Sequence, residues 1–172
     1  MQGAATILHH PIHPMVIVFP IGFFIGSLGA DIIFLASRKE FWRKCALALI
    51  GFGIVGGLVA AIFGLVDYRT APMTAKAFDI AGDHMTANLV VVGIFVVNFI
   101  LRWRRPSHWF GYLLTLAGFV IVLYSGWLGG ELVYRHEVGV APVNKAAITG
   151  TQEHPKPKAQ IRLLSPRSPI GS

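Results

Sequence analysis

Four long apolar stretches, separated by short polar segments, dominate the chain. Each reaches roughly the 20 residues that a helix needs to cross the hydrocarbon core of a bilayer. We predict membrane spans at about residues 15–37, 45–66, 85–101 and 109–132. Because short connections join antiparallel neighbours, the pattern predicts an all-α fold: an integral membrane, up-down-up-down four-helix bundle.

The second stretch carries two rows of small residues at four-residue spacing. The rows consist of Gly53, Gly57 and Ala61, and of Gly56, Ala60 and Gly64. Small residues let helix backbones approach closely in lipid, where packing rather than hydrophobicity drives association. We therefore expect the second helix to pack tightly. No internal repeat is evident in the sequence.

The composition supports a membrane protein and excludes several other classes. Hydrophobic residues make up 54% of the 172-residue chain and charged residues only 13%, whereas soluble domains average about 25% charged residues. A single cysteine, Cys45, excludes a disulfide scaffold. We attribute the net charge of +7 to basic residues that set the membrane topology. The basic residues do not form a groove with interleaved aromatic residues, so we do not predict binding to nucleic acid.

The basic residues predict the orientation of the spans. Seven lie in the first and third connections: Arg38, Lys39, Arg43, Lys44, Arg102, Arg104 and Arg105. The opposite side has fewer near the span ends: Arg69, Lys76, Arg135 and Lys145. Because cytoplasmic loops are enriched in Lys and Arg, we predict a protein of the bacterial cytoplasmic membrane with both termini in the periplasm.

Three segments follow from this pattern. Residues 1–14 form an external lead-in, residues 15–137 contain the four-span bundle, and residues 138–172 form a flexible basic periplasmic tail. The tail is polar and rich in proline, a composition typical of disordered segments.

Four histidines fall at the predicted periplasmic end of the spans: His10 and His13 before the first, His84 at the start of the third, and His136 after the fourth. Prolines on both sides of His13 predict an extended, stiff lead-in. Carboxylates and an arginine occur at the same level, namely Asp67, Glu131 and Arg135. Glu131 and Arg135 are spaced to pair along one helix face.

Three interpretations of these histidines remain open. They hydrogen-bond loop carbonyls and clamp the end of the bundle, or two of them ligate haem b, or they form a His/carboxylate site for a transition metal ion such as zinc, copper or non-haem iron. For either cofactor, His13 and His84 are the first candidate pair and His10 and His136 the reserve pair. Asp67, Glu131 and Arg135 would orient the ligands or face a substrate.

A second group of polar residues lies deeper in the predicted membrane portion. Asp31, Asn98 and Thr115 fall at similar depth in the first, third and fourth spans. A carboxylate inside a membrane is costly and marks a functional hypothesis. Asp31 therefore either handles protons, with Asn98 nearby, or hydrogen-bonds Asn98 to join two helices.

Several short motifs carry a resemblance to a known family: His10-Pro11-Ile12-His13-Pro14 followed by Phe19-Pro20-Ile21, Gly64-Leu65-Val66-Asp67-Tyr68, His84, and Gly129-Gly130-Glu131-Leu132-Val133-Tyr134-Arg135-His136. At these motifs, over about residues 8–140, the chain resembles bacterial predicted membrane proteins catalogued as domain of unknown function 2231. Family members often have histidine where this chain has Val18, and glycine where it has Glu137.

The resemblance implies a four-helix membrane module that is sometimes joined to, or encoded near, redox proteins such as Rieske and c-type cytochrome domains. It implies no established reaction. We therefore expect electron transfer between a quinone in the lipid bilayer and a periplasmic redox protein or membrane complex. The alternative is a non-catalytic membrane anchor or scaffold for such a partner, with structural histidines and no cofactor.

Overall fold

The computed structural model describes residues 3–106 and 108–140 and contains four long helices. These are α1 (Ile12–Ser37), α2 (Glu40–Thr70), α3 (Ala75–Arg104) and α4 (Phe110–Tyr134). A small antiparallel hairpin of β1 (Thr6–Ile7) and β2 (His10–Pro11) precedes them. All four helices are long and apolar enough to span a membrane, which confirms the predicted fold class. Most of the predicted tail, residues 141–172, lies outside the described residues.

The helices form a ring in chain order. α1 packs against α2, α2 against α3, α3 against α4, and α4 against α1. Only Arg38 and Lys39 separate α1 from α2, and a short segment at 71–74 joins α2 to α3. Such short connections make sequential helices antiparallel neighbours, so α1 and α3 run parallel and face each other across the diagonal.

The third helix begins well before the predicted span start at residue 85. The Thr74 side chain caps it by accepting a hydrogen bond from the amide of Ala77. In this first part of α3, Asp79 and Asp83 are exposed whereas Ala77 and Ala81 are buried. The charged side chains lower the hydropathy of a segment that is helical and amphipathic, which is why the apolar pattern alone missed it.

Two sequence predictions therefore need correction. His84 does not open a helix, because it lies well inside α3. His13 does not sit on an extended lead-in: the extended backbone ends at Pro11 (φ −62°, ψ 131°), and α1 begins at the next residue. Pro14 fits within the first turn because the amides there have no partner inside the helix.

The centre of the bundle is a pair of stacked aromatic rings. Phe24 of α1 and Phe95 of α3 lie 3.9 Å apart between ring centres at an angle of 4°, and both are buried. Gly53 of α2 faces the Phe24 ring, and Gly118 of α4 faces the Phe95 ring. The predicted small-residue rows on α2 do serve close packing, since α1 lies directly against this helix.

Candidate functional site

The imidazoles of His13 and His84 meet across the diagonal of the bundle, near the end that carries the hairpin. Their ring centres are 6.3 Å apart and the rings are perpendicular, at 90°. His13 comes from the first turn of α1 and His84 from the inner part of α3. Two residues far apart in sequence thus form one pair inside the bundle.

Each imidazole is fixed by a backbone carbonyl of the next helix. His13 Nδ1 donates to the carbonyl of Ala60 on α2 at 2.9 Å, and His84 Nδ1 donates to the carbonyl of Ser125 on α4 at 2.9 Å. Because a carbonyl can only accept, the hydrogen of each neutral ring is on Nδ1 and the lone pair is on Nε2.

A glycine lies beside each ring, one turn after the carbonyl that holds it. A Cβ atom at Gly64 would lie 3.0 Å from His13 Cε1, and one at Gly129 would lie 3.2 Å from His84 Cε1. These distances are tighter than ordinary carbon contacts. The two glycines therefore let the rings lie directly against α2 and α4.

The two halves of the bundle repeat this arrangement, although no internal repeat is evident in the sequence. Three pairs join α1 to α3, and each partner in α3 lies 71 residues after its partner in α1: His13 with His84, Phe24 with Phe95, and Asp31 with Arg102. The distance in sequence from histidine to carbonyl is 47 residues in the first half and 41 in the second. The second helical hairpin (α3 and α4) is therefore a shorter version of the first helical hairpin (α1 and α2).

The two halves differ at Nε2. The side-chain amide of Asn88 donates to His84 Nε2 at 3.0 Å, and also to the His84 carbonyl at 3.0 Å. His13 Nε2 makes no hydrogen bond to any residue that the structure describes. Sequence reasoning did not assign Asn88 to the site, although its position four residues after His84 places it on the same helix face.

The reserve pair belongs to other parts of the protein. His10 is exposed on β2, and His136 is half-buried in the turn after α4. Within residues 3–106 and 108–140, neither has a ring contact with His13 or His84. The same residues include no group of three His, Cys, Asp or Glu side chains that could hold a metal ion.

The predicted pair of Glu131 and Arg135 is present, with Arg135 Nη1 donating to Glu131 Oε1 at 3.0 Å. The next residue but one, Glu137, has a φ of 53°. This left-handed region favours glycine, which gives a physical reason for the glycine that family members often carry at this position.

The N-terminal segment covers the end of α2 beside the imidazoles. The amide of Ala4 donates to Thr70 Oγ1 at 2.8 Å, and the backbone of Ala5 lies close to the carboxylate of Asp67. Asp67 is also close enough to His13 for an electrostatic interaction. Its Oδ1 is buried and has no hydrogen-bond partner among the described residues, so this carboxylate is only partly satisfied by the protein.

A buried ion pair joins α1 and α3 near the opposite end of the bundle. Arg102 donates through both terminal nitrogens to the two carboxylate oxygens of Asp31, each at 2.7 Å. Asp31 and Arg102 are each only 2% exposed. The Arg102 guanidinium also lies over the Tyr112 ring, 4.7 Å from its centre.

Asn98 and Thr115 complete this network. Arg102 Nε donates to Asn98 Oδ1 at 2.9 Å, and Asn98 Nδ2 donates to Thr115 Oγ1 at 2.9 Å. Sequence reasoning placed Asp31, Asn98 and Thr115 at one depth but counted Arg102 as a loop charge. Its position one turn after Asn98 was the signal that could have identified it as the partner of the intramembrane carboxylate.

Comparisons with known proteins give a family and nothing more specific. No curated protein and no solved structure matches the chain. One family model, described as a predicted membrane protein, matches residues 9–142. The match takes in all four helices and both imidazoles of the diagonal pair. The chain therefore belongs to the DUF2231 family of predicted membrane proteins.

Proposed function

We propose that this membrane protein takes part in electron transfer and holds haem b between His13 and His84. The observation that carries the proposal is the matched pair of imidazoles, each fixed through Nδ1 by a carbonyl of the neighbouring helix. Histidines that ligate a metal nearly always donate their other ring N–H in this way. That hydrogen bond fixes both the tautomer and the direction of the ring.

The separation of the rings also supports two ligands on one ion. Two imidazoles that ligate one ion through metal–nitrogen bonds of about 2 Å would have ring centres at most roughly 6 Å apart. The observed distance is 6.3 Å. Two protein ligands suit haem, whose porphyrin supplies the other four nitrogens, better than a zinc site, which takes three or four protein ligands. Within the described residues, neither His10 nor His136 joins the pair in a group that could hold a metal ion.

Binding would require a change at one of the two Nε2 atoms. Asn88 must release His84 Nε2, to which it now donates, whereas His13 Nε2 has no hydrogen bond within the described part of the chain to break. When bound, haem would supply one-electron chemistry through its iron. A quinone and a periplasmic redox protein remain the proposed electron partners. Asp31 is left out of the proposal because Arg102 holds both of its oxygens.

One observation favours a second candidate, a membrane scaffold for a periplasmic redox partner. Both ring nitrogens of His84 are hydrogen-bonded within the bundle, to the Ser125 carbonyl and to Asn88. A satisfied imidazole of this kind needs no ligand and joins α3 to α4. In this case the histidines are structural, and the segment 138–172 would contact the partner.

An absorption spectrum of the purified, dithionite-reduced protein tests the first candidate. We expect a Soret band and an α band, both lost in His13→Ala and His84→Ala because each variant removes one of the two residues that would hold the haem. His10→Ala and His136→Ala are matched controls that should retain the bands, since these imidazoles lie outside the pair.

A spectrum without either band, from folded protein expressed with ample haem, would contradict haem binding. Truncation after Val140 then tests the scaffold. Loss of co-purifying periplasmic partners in the truncated protein, with retention in His13→Ala, is the result that the second candidate requires.

A further inference from the structure

An apolar groove runs along the outside of the bundle between α2 and α3. It lies towards the end with the buried ion pair, away from the imidazoles. Its volume is about 650 Å³, and its lining is formed mainly by Leu47, Gly51, Val55, Val96, Phe99 and Trp103. The groove is independent of the histidine site and of the function proposed for it.

The floor of the groove is built by one glycine and one aromatic ring. A Cβ atom at Gly51 would lie 3.2 Å from Phe99 Cε2, so the absence of a side chain lets the ring lie against α2. Phe99 stacks on Trp103, with ring centres 5.9 Å apart at an angle of 26°. Trp103 itself is 70% exposed. The result is a smooth apolar channel with an indole at one end.

Two basic side chains stand at that same end. Lys44 lines the groove, and Arg104 lines an adjacent depression that shares Phe99, Ile100 and Trp103 with it. Both are exposed, and neither pairs with an acidic side chain in the described part of the chain. Arg43, in contrast, is paired with Glu40. Glu40 also interacts electrostatically with Lys44, but one carboxylate faces Arg43, Lys44 and Arg104, so the net charge at this end of the groove is positive.

The length of the groove matches one membrane leaflet. From Lys44 to Val55 the helix rises roughly 16 Å at 1.5 Å per residue, about half of a hydrocarbon core of about 30 Å. Tryptophan and basic side chains at one end are typical of the membrane interface. A ligand that fills this site has an anionic head and a long apolar chain.

We propose that the groove binds one anionic phospholipid. The phosphate lies between Lys44 and Arg104, and an acyl chain follows the channel over Phe99. Basic pockets between membrane helices recognise anionic head groups by this combination of charge and apolar surface. Phosphatidylcholine, whose head group carries no net charge, should be held less tightly.

Native mass spectrometry of the full chain, titrated with phosphatidylglycerol or phosphatidylcholine of identical acyl chains, tests the proposal. We expect at least a fivefold preference for one bound phosphatidylglycerol. The double variant Lys44→Ala/Arg104→Ala should reduce that preference to near onefold. The matched control, Lys39→Ala/Arg105→Ala, removes two basic residues near the same end that do not line the groove, and should keep the preference.

A further variant tests the acyl channel separately from the charges. Ala48→Phe fills the groove one turn after Lys44 at an exposed position, and we expect it to lower phosphatidylglycerol retention with both cations in place. Equal retention of the two lipids by the wild-type protein would overturn the proposal. An equal loss of the phosphatidylglycerol preference in the two double variants would also overturn it. So would displacement of phosphatidylglycerol from the wild-type protein by a quinone.

Discussion

At the scale of single residues, Asp31 and Arg102 show how a charge is tolerated inside the bundle. The two side chains are counter-ions for each other. Asn98 and Thr115 accept further hydrogen bonds from the guanidinium, and Asn98 also donates one to Thr115. A buried pair of this kind adds little compared with apolar packing, but removal of one partner leaves an uncompensated charge. The pair is therefore sensitive to single substitutions.

We predict that Asp31→Ala lowers the free energy of unfolding by about 3–5 kcal/mol, because Arg102 is left buried without its counter-ion. The double variant Asp31→Ala/Arg102→Met should recover most of the loss. Arg135→Ala, at an exposed pair, is the control and should cost about 0.5 kcal/mol or less. Unfolding in detergent measures all three. A double variant no more stable than Asp31→Ala would contradict this explanation.

The sequence identified the right polar residues here but not their bonds. Asp31, Asn98 and Thr115 stood out because polar side chains are rare in apolar spans. Arg102 did not, because an arginine near the end of a span is indistinguishable from an ordinary loop charge until the neighbouring helices are placed. Asn88 differs, because it lies on the same helix as His84 and four residues after it, so the spacing places both side chains on one face but does not show their hydrogen bond.

At the scale of helices, small residues decide how closely the four elements approach. Gly118 of α4 lies against Phe95, which is completely buried and stacked on Phe24. A Cβ atom at Gly118 would come within 2.6 Å of Phe95 Cε2. The ring cannot move aside without disturbing its stacking partner, so this position accepts no side chain.

We predict that Gly118→Ala destabilises the protein by about 1–3 kcal/mol through overpacking. Gly126→Ala on the same helix is the matched control, since nothing lies within 4 Å of its would-be Cβ. The control should be neutral or gain up to about 1 kcal/mol from helix propensity. Detergent unfolding curves of the two variants give the comparison, and equal stabilities would disprove the packing argument.

Helix existence was predictable from the apolar pattern, whereas two helix starts were not. The hydropathy of α3 falls over its first turns because Lys76, Asp79 and Asp83 are exposed there. Only the cap at Thr74 and the buried alanines show that the helix has already begun. The likeness between the two helical hairpins was also hidden in the sequence, because few residues are identical between them and the second helical hairpin is shorter.

At the scale of the whole molecule, the basic residues still favour the predicted orientation after one correction. Arg102 is buried and paired, so it no longer counts as a loop charge. The other basic residues at the end of the bundle with the α1–α2 and α3–α4 connections still count: Arg38, Lys39, Arg43, Lys44, Arg104 and Arg105. The rule concerns Lys and Arg rather than net charge, so the pairing of Arg43 with Glu40 does not weaken it.

We therefore predict that the connection between α2 and α3 faces the periplasm. Single cysteines placed in a Cys45→Ser background test this with a membrane-impermeant maleimide. Ala75→Cys should react in intact spheroplasts, and Ser37→Cys, exposed at the other end of the bundle, should react only after the membrane is permeabilised. The reverse labelling pattern would invert the proposed topology.

The three diagonal pairs between α1 and α3 have a consequence for assembly. At two levels the facing residues are identical, so a copy of either hairpin could face itself there without conflict. At the third level the residues are opposite in charge, Asp31 against Arg102. Two first hairpins would bring together two acids, and two second hairpins two guanidinium groups, both in a dehydrated interior. The ion pair therefore disfavours the association of two identical helical hairpins and favours pairing of the first helical hairpin with the second. This holds whether the two belong to one polypeptide or are exchanged between two polypeptides.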